Sequence, residues 1–152
     1  MTTQPPLSLK GRALRLLGAR EHSRAELERK LASFEEEPGS LAEALDALQA
    51  KGFINEQRVL ESVLHRRSTK LGTARIRQEL QGKGLAPEAV MEAVEQLRAT
   101  EVERAREVWR KKFGKPPLDA AERGKQIRFL ASRGFGGDAI HKVVSGCFDD
   151  EE

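Results

Sequence analysis

The sequence predicts an all-α protein made of tandem three-helix repeats, which form an elongated, curved, solenoid-like domain. The first observation is a repeat: the stretch LQGKGLAPEAV (80–90) recurs as LASRGFGGDAI (130–140), fifty residues further along the chain. The second is that apolar residues recur at helical spacing, whereas no run of β-branched residues alternates with polar ones. Such a repeat indicates modules that each bury an apolar face partly against a neighbour and together offer an extended binding surface.

The predicted helices begin and end at recognisable residues. Four segments place a short oxygen-bearing side chain three residues before a glutamate, which predicts a capping box at each of them: SRAE (23–26), SLAE (40–43), TEVE (100–103) and DAAE (119–122). Asn55 is a further predicted cap, and Pro87 suits a first helical turn. The glycines Gly52, Gly84 and Gly134 each follow Lys or Arg and can end a helix in the left-handed conformation.

These signals and the apolar spacing together predict nine helices in three groups of three. The predicted ranges are 9–19, 24–33, 41–51, 56–70, 73–83, 87–98, 101–113, 119–132 and 138–147. Each repeated stretch is then the junction between the second and third helices of a module. The predicted organisation is a flexible N-terminal segment, three three-helix modules and an acidic tail, over residues 1–8, 9–53, 54–99, 100–147 and 148–152.

The composition suits amphipathic helices with broad solvated faces. Charged residues make up 34% of the chain and apolar residues 38%. A single cysteine, Cys147, excludes an internal disulfide and is expected to be a packing residue. There is no apolar run near 18 residues and no signal peptide, so we expect no membrane insertion and a cytoplasmic location.

No catalytic constellation can be assembled from the sequence. The three histidines, His22, His65 and His141, fall in different modules, and none has a second ligand at metal-binding spacing. The glycines occur singly as caps or as Gly136-Gly137 in a turn, so no phosphate-binding loop is present. A paired-carboxylate site stays open, although caps and helix ion pairs account for most acidic residues. We therefore predict a protein that is not an enzyme, with no catalytic residues, no metal ligands and no cofactor.

Positive charge is concentrated in the middle and last thirds of the chain. Residues 51–148 hold 20 Lys and Arg against 12 Asp and Glu, whereas residues 1–50 hold 7 against 8, and Asp149–Glu152 are all acidic. This distribution fits a polyanion or an acidic protein surface as partner, and equally a solvated helical surface that happens to be basic.

Four basic clusters lie on the predicted helices. In HRRSTK the apolar stripe of a helix continues into Arg66 and Arg67, which would either pair with acids of a neighbouring module or project toward phosphates or carboxylates. The second cluster is Arg75 with Arg77, the third is WRKKFGK (109–115), and the fourth holds Arg123, Lys125, Arg128 and Arg133. Trp109 shares the helical spacing of Val102 and Phe113, so it is expected in the core rather than on a base-stacking surface.

Four separated segments resemble the RecX family of bacterial recombination regulators. They are LRLLGAREHSRAELERKL, GFINEQRVLESVLHRR, LGTARIRQELQGKGL and KKFG followed by IRFLASRGF, in the same order and spacing over residues 9–147. Val59 stands where the family more usually has an aromatic residue. The resemblance implies a fold of three tandem three-helix repeats. It also implies binding of the RecA recombinase within the groove of its filament on DNA, with inhibition of filament growth, ATP hydrolysis, strand exchange and LexA cleavage.

Carried onto this chain, the resemblance and the charge pattern predict a steric and electrostatic mechanism. The predicted partner-binding residues form one positive track toward acidic RecA surface, DNA phosphates, or both: Arg66, Arg67, Lys70, Arg75, Arg77, Arg110, Lys111, Lys112, Arg123, Lys125 and Arg128. Two other readings stay open, a helix-turn-helix-like DNA-binding regulator and a neutral protein-interaction solenoid. We expect a monomer, because no heptad seam is present.

Overall fold

The computed structural model describes residues 6–146, which form nine α-helices and one short 3₁₀-helix, with no strand among them. The predicted tail 148–152, Cys147 and residues 1–5 of the predicted N-terminal segment lie outside this range. The helices are α1 (Leu9–Ala19), α2 (Arg24–Leu31), α3 (Ser40–Ala50), α4 (Glu56–Arg67), α5 (Thr73–Gly82), α6 (Pro87–Ala99), α7 (Glu101–Lys112), α8 (Ala120–Ser132) and α9 (Gly137–Val144), with the 3₁₀-helix at Ala32–Phe34. The all-helical prediction is confirmed.

The chain divides into two compact units that are not simple stretches of sequence. Unit 1 comprises Met1–Ser62 together with Lys83–Leu85, and unit 2 comprises Val63–Gly82 together with Ala86–Glu152. The boundary falls within α4, and the turn after α5 belongs to unit 1. The boundaries of the two compact units therefore differ from those of the sequence repeat.

Unit 1 is built on the packing of α1, α2 and α3. Leu27, Leu45 and Leu48 are fully buried at its centre. Beside them Ser23 caps α2 through a capping box with Glu26, as predicted. The Ser23 hydroxyl also donates to the carbonyl oxygen of Lys83, 2.6 Å away. The cap thereby fixes the Lys83–Leu85 turn to this unit.

A buried carboxylate lies at the same place. The Glu26 side chain is only 8% exposed and accepts from Arg20 Nη2 at 2.7 Å, from Lys83 Nζ at 3.2 Å and from the Ser23 amide at 3.0 Å. Burial alone would raise the pKa of Glu26, but these donors outweigh it and hold the pKa at about 2. Glu26 is therefore an ionised anchor of unit 1.

In unit 2 the helices α7, α8 and α9 pack on one another around a single core. Trp109 is 5% exposed in that core, with Val102 and Phe113 packed against it, as their spacing predicts. Its indole Nε1 donates to Gln126 Oε1 at 2.9 Å, and Gln126 Nε2 donates to the carbonyl oxygen of Lys115 at 3.1 Å. Gln126, 1% exposed, thus links the core to the loop between α7 and α8.

Most predicted caps are present, and two are not. Asp119 accepts from the Glu122 amide at 2.8 Å, Asn55 accepts from the Arg58 amide at 3.0 Å, and Pro87 occupies the first turn of α6. The prediction of a capping box at Ser40 was wrong, because α3 begins at Ser40 itself and its N-cap is Gly39, whose φ is 88°. The capping box at Thr100 was also wrong: its hydroxyl donates to the Leu97 carbonyl oxygen at 3.3 Å.

The repeated turns have the same backbone conformation. Gly52, Gly84 and Gly134 have φ of 83°, 70° and 92°, so the prediction of left-handed helix ends is confirmed. After Gly134 the next residue, Phe135, donates its amide to Leu130 O at 3.2 Å and buries its side chain. Glycine is required at this position because an L side chain rarely adopts such a φ.

The helix α4 is shorter than predicted. It ends at Arg67 rather than residue 70, and the Arg67 carbonyl oxygen accepts from the amides of Lys70 and Leu71 at 2.9 and 2.8 Å. Leu71 and Gly72 then turn inward and are buried. This turn, residues 68–72, places Lys70 outside the helix and next to the carboxyl-terminal half of α7.

Candidate functional site

A basic groove lies on unit 2 where the turn after α4 meets α7 and α8. We call it the Lys111 groove; it has a volume of about 410 Å³ and is lined by Thr69, Lys70, Val108, Lys111, Lys112, Phe129 and Arg133. Three of these residues, Lys70, Lys111 and Lys112, were predicted from separate stretches of sequence. All four cations of the groove are exposed. Among the described residues none of the four has a carboxylate within ion-pairing distance, so their charge is available to an anionic partner.

An aromatic ring organises two of these cations. The Arg133 guanidinium lies 4.9 Å from the centroid of the Phe129 ring, and the Lys112 ammonium lies 5.4 Å from it. Phe113 packs against the same ring edge-on, at 5.5 Å and 87°. A cation over an aromatic face gains about 0.5–1 kcal/mol at an exposed site. Phe129 therefore favours side-chain positions that keep both positive charges at the groove.

A second groove adjoins the first and shares Lys112 with it. We call it the Leu118 groove; it lies between the end of α7, the 113–119 loop and α8, with a volume of about 890 Å³. Its cations are Lys112, Lys115, Lys125 and Arg128, and its apolar walls include Phe113, Pro116, Pro117 and Leu118. The Leu118 side chain is 97% exposed. This groove is therefore both basic and apolar.

The 113–119 loop is held in place from within. Gln126, which lines the groove, accepts the Trp109 N–H and donates to the Lys115 carbonyl oxygen. Two prolines follow in the loop, and Asp119 closes it as the cap of α8. Because proline fixes φ, and because the loop is hydrogen-bonded to a buried amide, the exposed Leu118 is presented from a defined backbone.

Arg66 and Arg67 lie at the end of α4 and share one carboxylate. Arg67 Nε is 3.1 Å from Glu79 Oε1, and Arg66 Nη2 is 3.8 Å from Glu79 Oε2. Glu79 is on α5, within the same predicted module rather than a neighbouring one. The Glu79 carboxylate is therefore shared by two guanidinium groups.

Arg75 and Arg77 of α5 have different surroundings. Arg75 Nη1 donates to the Ser132 carbonyl oxygen at 2.8 Å, and its side chain covers Gly134. Arg77 instead lines a separate cavity of about 440 Å³, together with Arg98 and Glu101. Neither residue lines the Lys111 groove or the Leu118 groove.

Arg110 and Arg123 are engaged locally. Arg110 Nη1 pairs with Glu107 Oε2 at 2.9 Å, one turn back on α7. Arg123 Nη2 donates to the Ser145 hydroxyl at 3.3 Å, which joins α8 to the end of α9. The structure therefore brings together Lys70, Lys111 and Lys112 in one groove and Lys112, Lys125 and Arg128 in the other.

A half-buried arginine that is not among the predicted site residues holds the 68–72 turn. Arg104 of α7 donates to the carbonyl oxygens of Ser68, Leu71 and Leu97 at 3.1, 2.7 and 2.8 Å, and to the Thr73 hydroxyl at 3.1 Å. Burial lowers the pKa of Arg104, and Glu101 opposes that shift. Arg104 thereby positions Lys70 at the rim of the Lys111 groove.

Two further cations and one ring were also left out of the predicted site. Lys115 and Arg133 belonged to the basic clusters, but only packing shows that they line the grooves. Phe129 gave no functional signal because its spacing is that of a core residue. Over residues 6–146, no group of His, Cys, Asp and Glu could hold a metal ion, and no helix is long and apolar enough to cross a membrane.

Three family models match the chain in consecutive order. The first three-helix domain of RecX matches residues 10–48, the second matches residues 55–94, and the third matches residues 99–144. These matches agree with the three-helix repeats predicted from the sequence. They also place the cations of both grooves outside the first three-helix domain.

Known relatives are similar to this chain in sequence, and solved structures are similar to it in fold. Proteins named regulatory protein RecX are similar over most of the chain: that of Leptothrix cholodnii is 54% identical over 94% of this chain and 91% of its own, and that of Ralstonia nicotianae is 47% identical over 93% and 89%. The fold resembles a crystal structure of RecX from Lactobacillus salivarius, with a TM-score of 0.70 at 21% identity, covering 91% of this chain and 93% of that one. A second crystal structure of regulatory protein RecX gives a TM-score of 0.71 at 18% identity, covering 91% and 71%.

Proposed function

This chain belongs to the RecX family of regulatory proteins, and we propose that it binds the RecA filament on DNA and inhibits ATP hydrolysis, strand exchange and LexA cleavage. The protein acts by occupying a surface rather than by catalysis, as a cytoplasmic monomer and without a cofactor. The observation that carries the proposal is the Lys111 groove, where four exposed cations from three separate segments come together. Within residues 6–146, none of the four has a carboxylate at ion-pairing distance.

The groove suits a chain of phosphates better than a single carboxylate. Lys70, Lys111 and Arg133 come from the 68–72 turn, α7 and the end of α8, so their charges are spread over a surface rather than aimed at one atom. Lysine and arginine at such spacing bind the nucleic-acid backbone without reading the sequence. We assign the main electrostatic contact with DNA in the filament to this groove, with Lys125 and Arg128 extending it through Lys112.

The remaining predicted residues are assigned secondary roles. Arg66 and Arg67 share the carboxylate of Glu79, and Arg77 lines a separate cavity. Arg75, Arg110 and Arg123 hold neighbouring segments of unit 2. We expect their substitution to weaken binding less than substitution at Lys111 and Lys112.

The helix-turn-helix alternative is poorly supported by α6. Its sequence, PEAVMEAVEQLRA, exposes Glu88, Glu92 and Glu95, and carboxylates repel the phosphates that a recognition helix must approach. A sequence-dependent footprint on naked duplex DNA would nevertheless favour that class of protein over a filament regulator.

The test is RecA's single-stranded-DNA-dependent ATP hydrolysis, titrated with this protein at low and moderate salt. We expect inhibition well below one molecule per RecA subunit. The double substitution Lys111→Glu and Lys112→Glu should require at least about tenfold more protein, because it places two negative charges in a phosphate-binding groove.

A matched control reverses two exposed charges of unit 1, Arg15→Glu and Lys51→Glu. It changes the net charge by the same amount and should inhibit nearly as well as the unaltered protein. Equal loss in both variants would show that only net charge matters. Unchanged inhibition by a folded K111E/K112E variant would refute the assignment of the groove.

A further inference from the structure

The chain continues beyond α9 with a segment complementary to the Leu118 groove. Residues 147–152 read Cys-Phe-Asp-Asp-Glu-Glu, an apolar side chain followed by four carboxylates. The groove offers exposed Leu118 and half-buried Pro117 beside Lys115 and Lys125. We propose that Phe148–Glu152 docks on this groove, with Phe148 against Leu118 and the carboxylates toward Lys115 and Lys125, and so competes with polyanions for the basic surface.

The groove has the composition of a docking site for such a segment. Lys112, Lys115, Lys125 and Arg128 have no described carboxylate within ion-pairing distance, while Asp119, one of the two acids in the lining, is already used as the cap of α8. A leucine that is 97% exposed on a loop held by Gln126 is available to bury apolar surface on a partner. The amino-terminal end of α8 also favours nearby negative charge.

The end of α9 lies within reach of the groove. Arg123 Nη2 donates to the Ser145 hydroxyl, so α9 ends beside the first turns of α8. Gly146 then adopts a φ of 72°. Six extended residues span at most about 20 Å, whereas Leu118 lies two residues before the start of α8 and Arg123 is in the first turn of that helix. Lys125 is two residues from Arg123 and therefore on the other side of α8, so docking requires the segment to cross the end of that helix past Leu118.

Tethering makes even a weak contact effective. A ligand joined by a short segment acts at an effective concentration on the order of millimolar. A segment with millimolar affinity would therefore occupy the groove for a substantial fraction of the time, and a polyanion would have to displace it. We expect this competition to lower the affinity for phosphate backbone by roughly 3–10-fold at low salt.

The experiment compares full-length protein with a neutral-tail variant, D149N/D150N/E151Q/E152Q. Two-dimensional ¹H–¹⁵N NMR of the free proteins should show shift changes at Lys115, Leu118 and Lys125. Phe148→Ser and Leu118→Ser should each reproduce those changes with the tail charge intact. Fluorescence anisotropy with labelled oligo(dT) should show roughly 3–10-fold tighter binding to the neutral-tail variant.

The matched control neutralises four exposed carboxylates away from both grooves, E88Q/E92Q/E95Q/E103Q. It raises the net charge equally and should tighten oligo(dT) binding clearly less than the neutral tail does. Equal tightening by the two variants would overturn the proposal. So would NMR changes confined to Arg123, His141 and Lys142, or the absence of changes at Leu118.

The inference rests on the proposed function only where it predicts competition. Shift changes at the groove without any binding of oligo(dT) would keep the docking and remove the DNA contact. Binding of oligo(dT) without shift changes would keep the DNA contact and remove the docking. The two failures are therefore distinguishable.

Discussion

The backbone of Gly72 lies directly against that of Gly134. The Gly72 amide donates to the Arg133 carbonyl oxygen at 2.7 Å, and a Cβ on Gly72 would overlap the carbonyl group of Gly134. The Ala74 amide donates to the Gly134 carbonyl oxygen at 3.3 Å. Main-chain hydrogen bonds thus join the segment 72–74 to the α8–α9 turn, on the side of unit 2 that also carries Lys70 and Arg133.

Substitution of Gly72 by alanine should destabilise unit 2. The added methyl group meets backbone atoms that cannot rotate away, so we expect a loss of about 1–3 kcal/mol in the free energy of unfolding. Urea unfolding followed by Trp109 fluorescence measures it, because Trp109 is the only tryptophan and lies in the core of unit 2. Gly137→Ala is the control, since a Cβ there meets nothing within 4 Å. Equal stability of the two variants would contradict the close contact.

Arg104→Met should loosen the 68–72 turn. The substitution leaves the carbonyl oxygens of Ser68 and Leu71 without their donor, at a cost of about 2–4 kcal/mol in the free energy of unfolding. Hydrogen exchange at the amides of Lys70 and Leu71 should become faster, and Arg104→Lys should restore only part of the protection. Arg98→Met, an exposed position on α6, is the control. Unchanged exchange in a folded Arg104→Met protein would rule out this role for Arg104.

The stability of unit 1 should depend on the ionisation of Glu26. Its pKa lies at about 2 when folded, against 4.5 ordinarily, so the unfolded chain binds a proton more readily. The stabilisation is therefore complete above pH 4.5 and is lost as the pH falls toward 2, by about 3 kcal/mol. Urea unfolding followed by circular dichroism at pH 7 and pH 3 should show about 2 kcal/mol of this loss, because pH 3 is still above the folded pKa.

Two variants separate this contribution from that of other carboxylates. Glu26→Gln should lower the stability at pH 7 and should lack this component of the acid dependence. Glu28→Gln, whose side chain is 51% exposed, should retain it. An acid dependence that is identical in Glu26→Gln and the unaltered protein would show that other groups are responsible.

Phosphate binding in the Lys111 groove should appear in the salt dependence. For single strands, log Kobs falls by about 0.7 per log[salt] for each phosphate neutralised. Replacing Lys70 and Lys111 by alanine should therefore reduce the slope by about 1.4, measured with oligo(dT) at four salt concentrations. Arg15→Ala with Lys51→Ala should leave the slope unchanged. Weaker binding of K70A/K111A with the original slope would indicate a contact other than phosphate.

The helices could be predicted from sequence because their signals are local. Ser23, Asp119 and the glycine turns act within four or five residues, and all are where the sequence places them. The capping box predicted at Thr100 does not form, because this single residue joins α6 to α7. It ends one helix and begins the next, and its hydroxyl donates to the Leu97 carbonyl oxygen and accepts from Arg104 Nε instead of capping a backbone amide.

The candidate site was predictable only in part, because charge clusters in sequence do not show what packing brings to them. Arg66 and Arg67 continue an apolar stripe, but Glu79 on another helix partly neutralises them. Lys111 gains Lys70 and Arg133 as neighbours only through the turns that Arg104 and Gly72 hold. Interactions between distant segments decide which cations remain available.

The presence of Lys83 in unit 1 bears on how the protein is made. During translation Glu26 and Arg20 emerge from the ribosome before Lys83, which completes their cluster and lies 57 residues after Glu26. The first repeat therefore emerges with a buried acid that lacks one of its two cations, and it gains full stability only after the second repeat has been half translated. The first repeat expressed alone should therefore unfold at lower urea concentration than the same repeat does within the whole chain. Within the cell, the same delay would leave the nascent amino-terminal helices exposed to proteases for the time needed to translate α4 and α5.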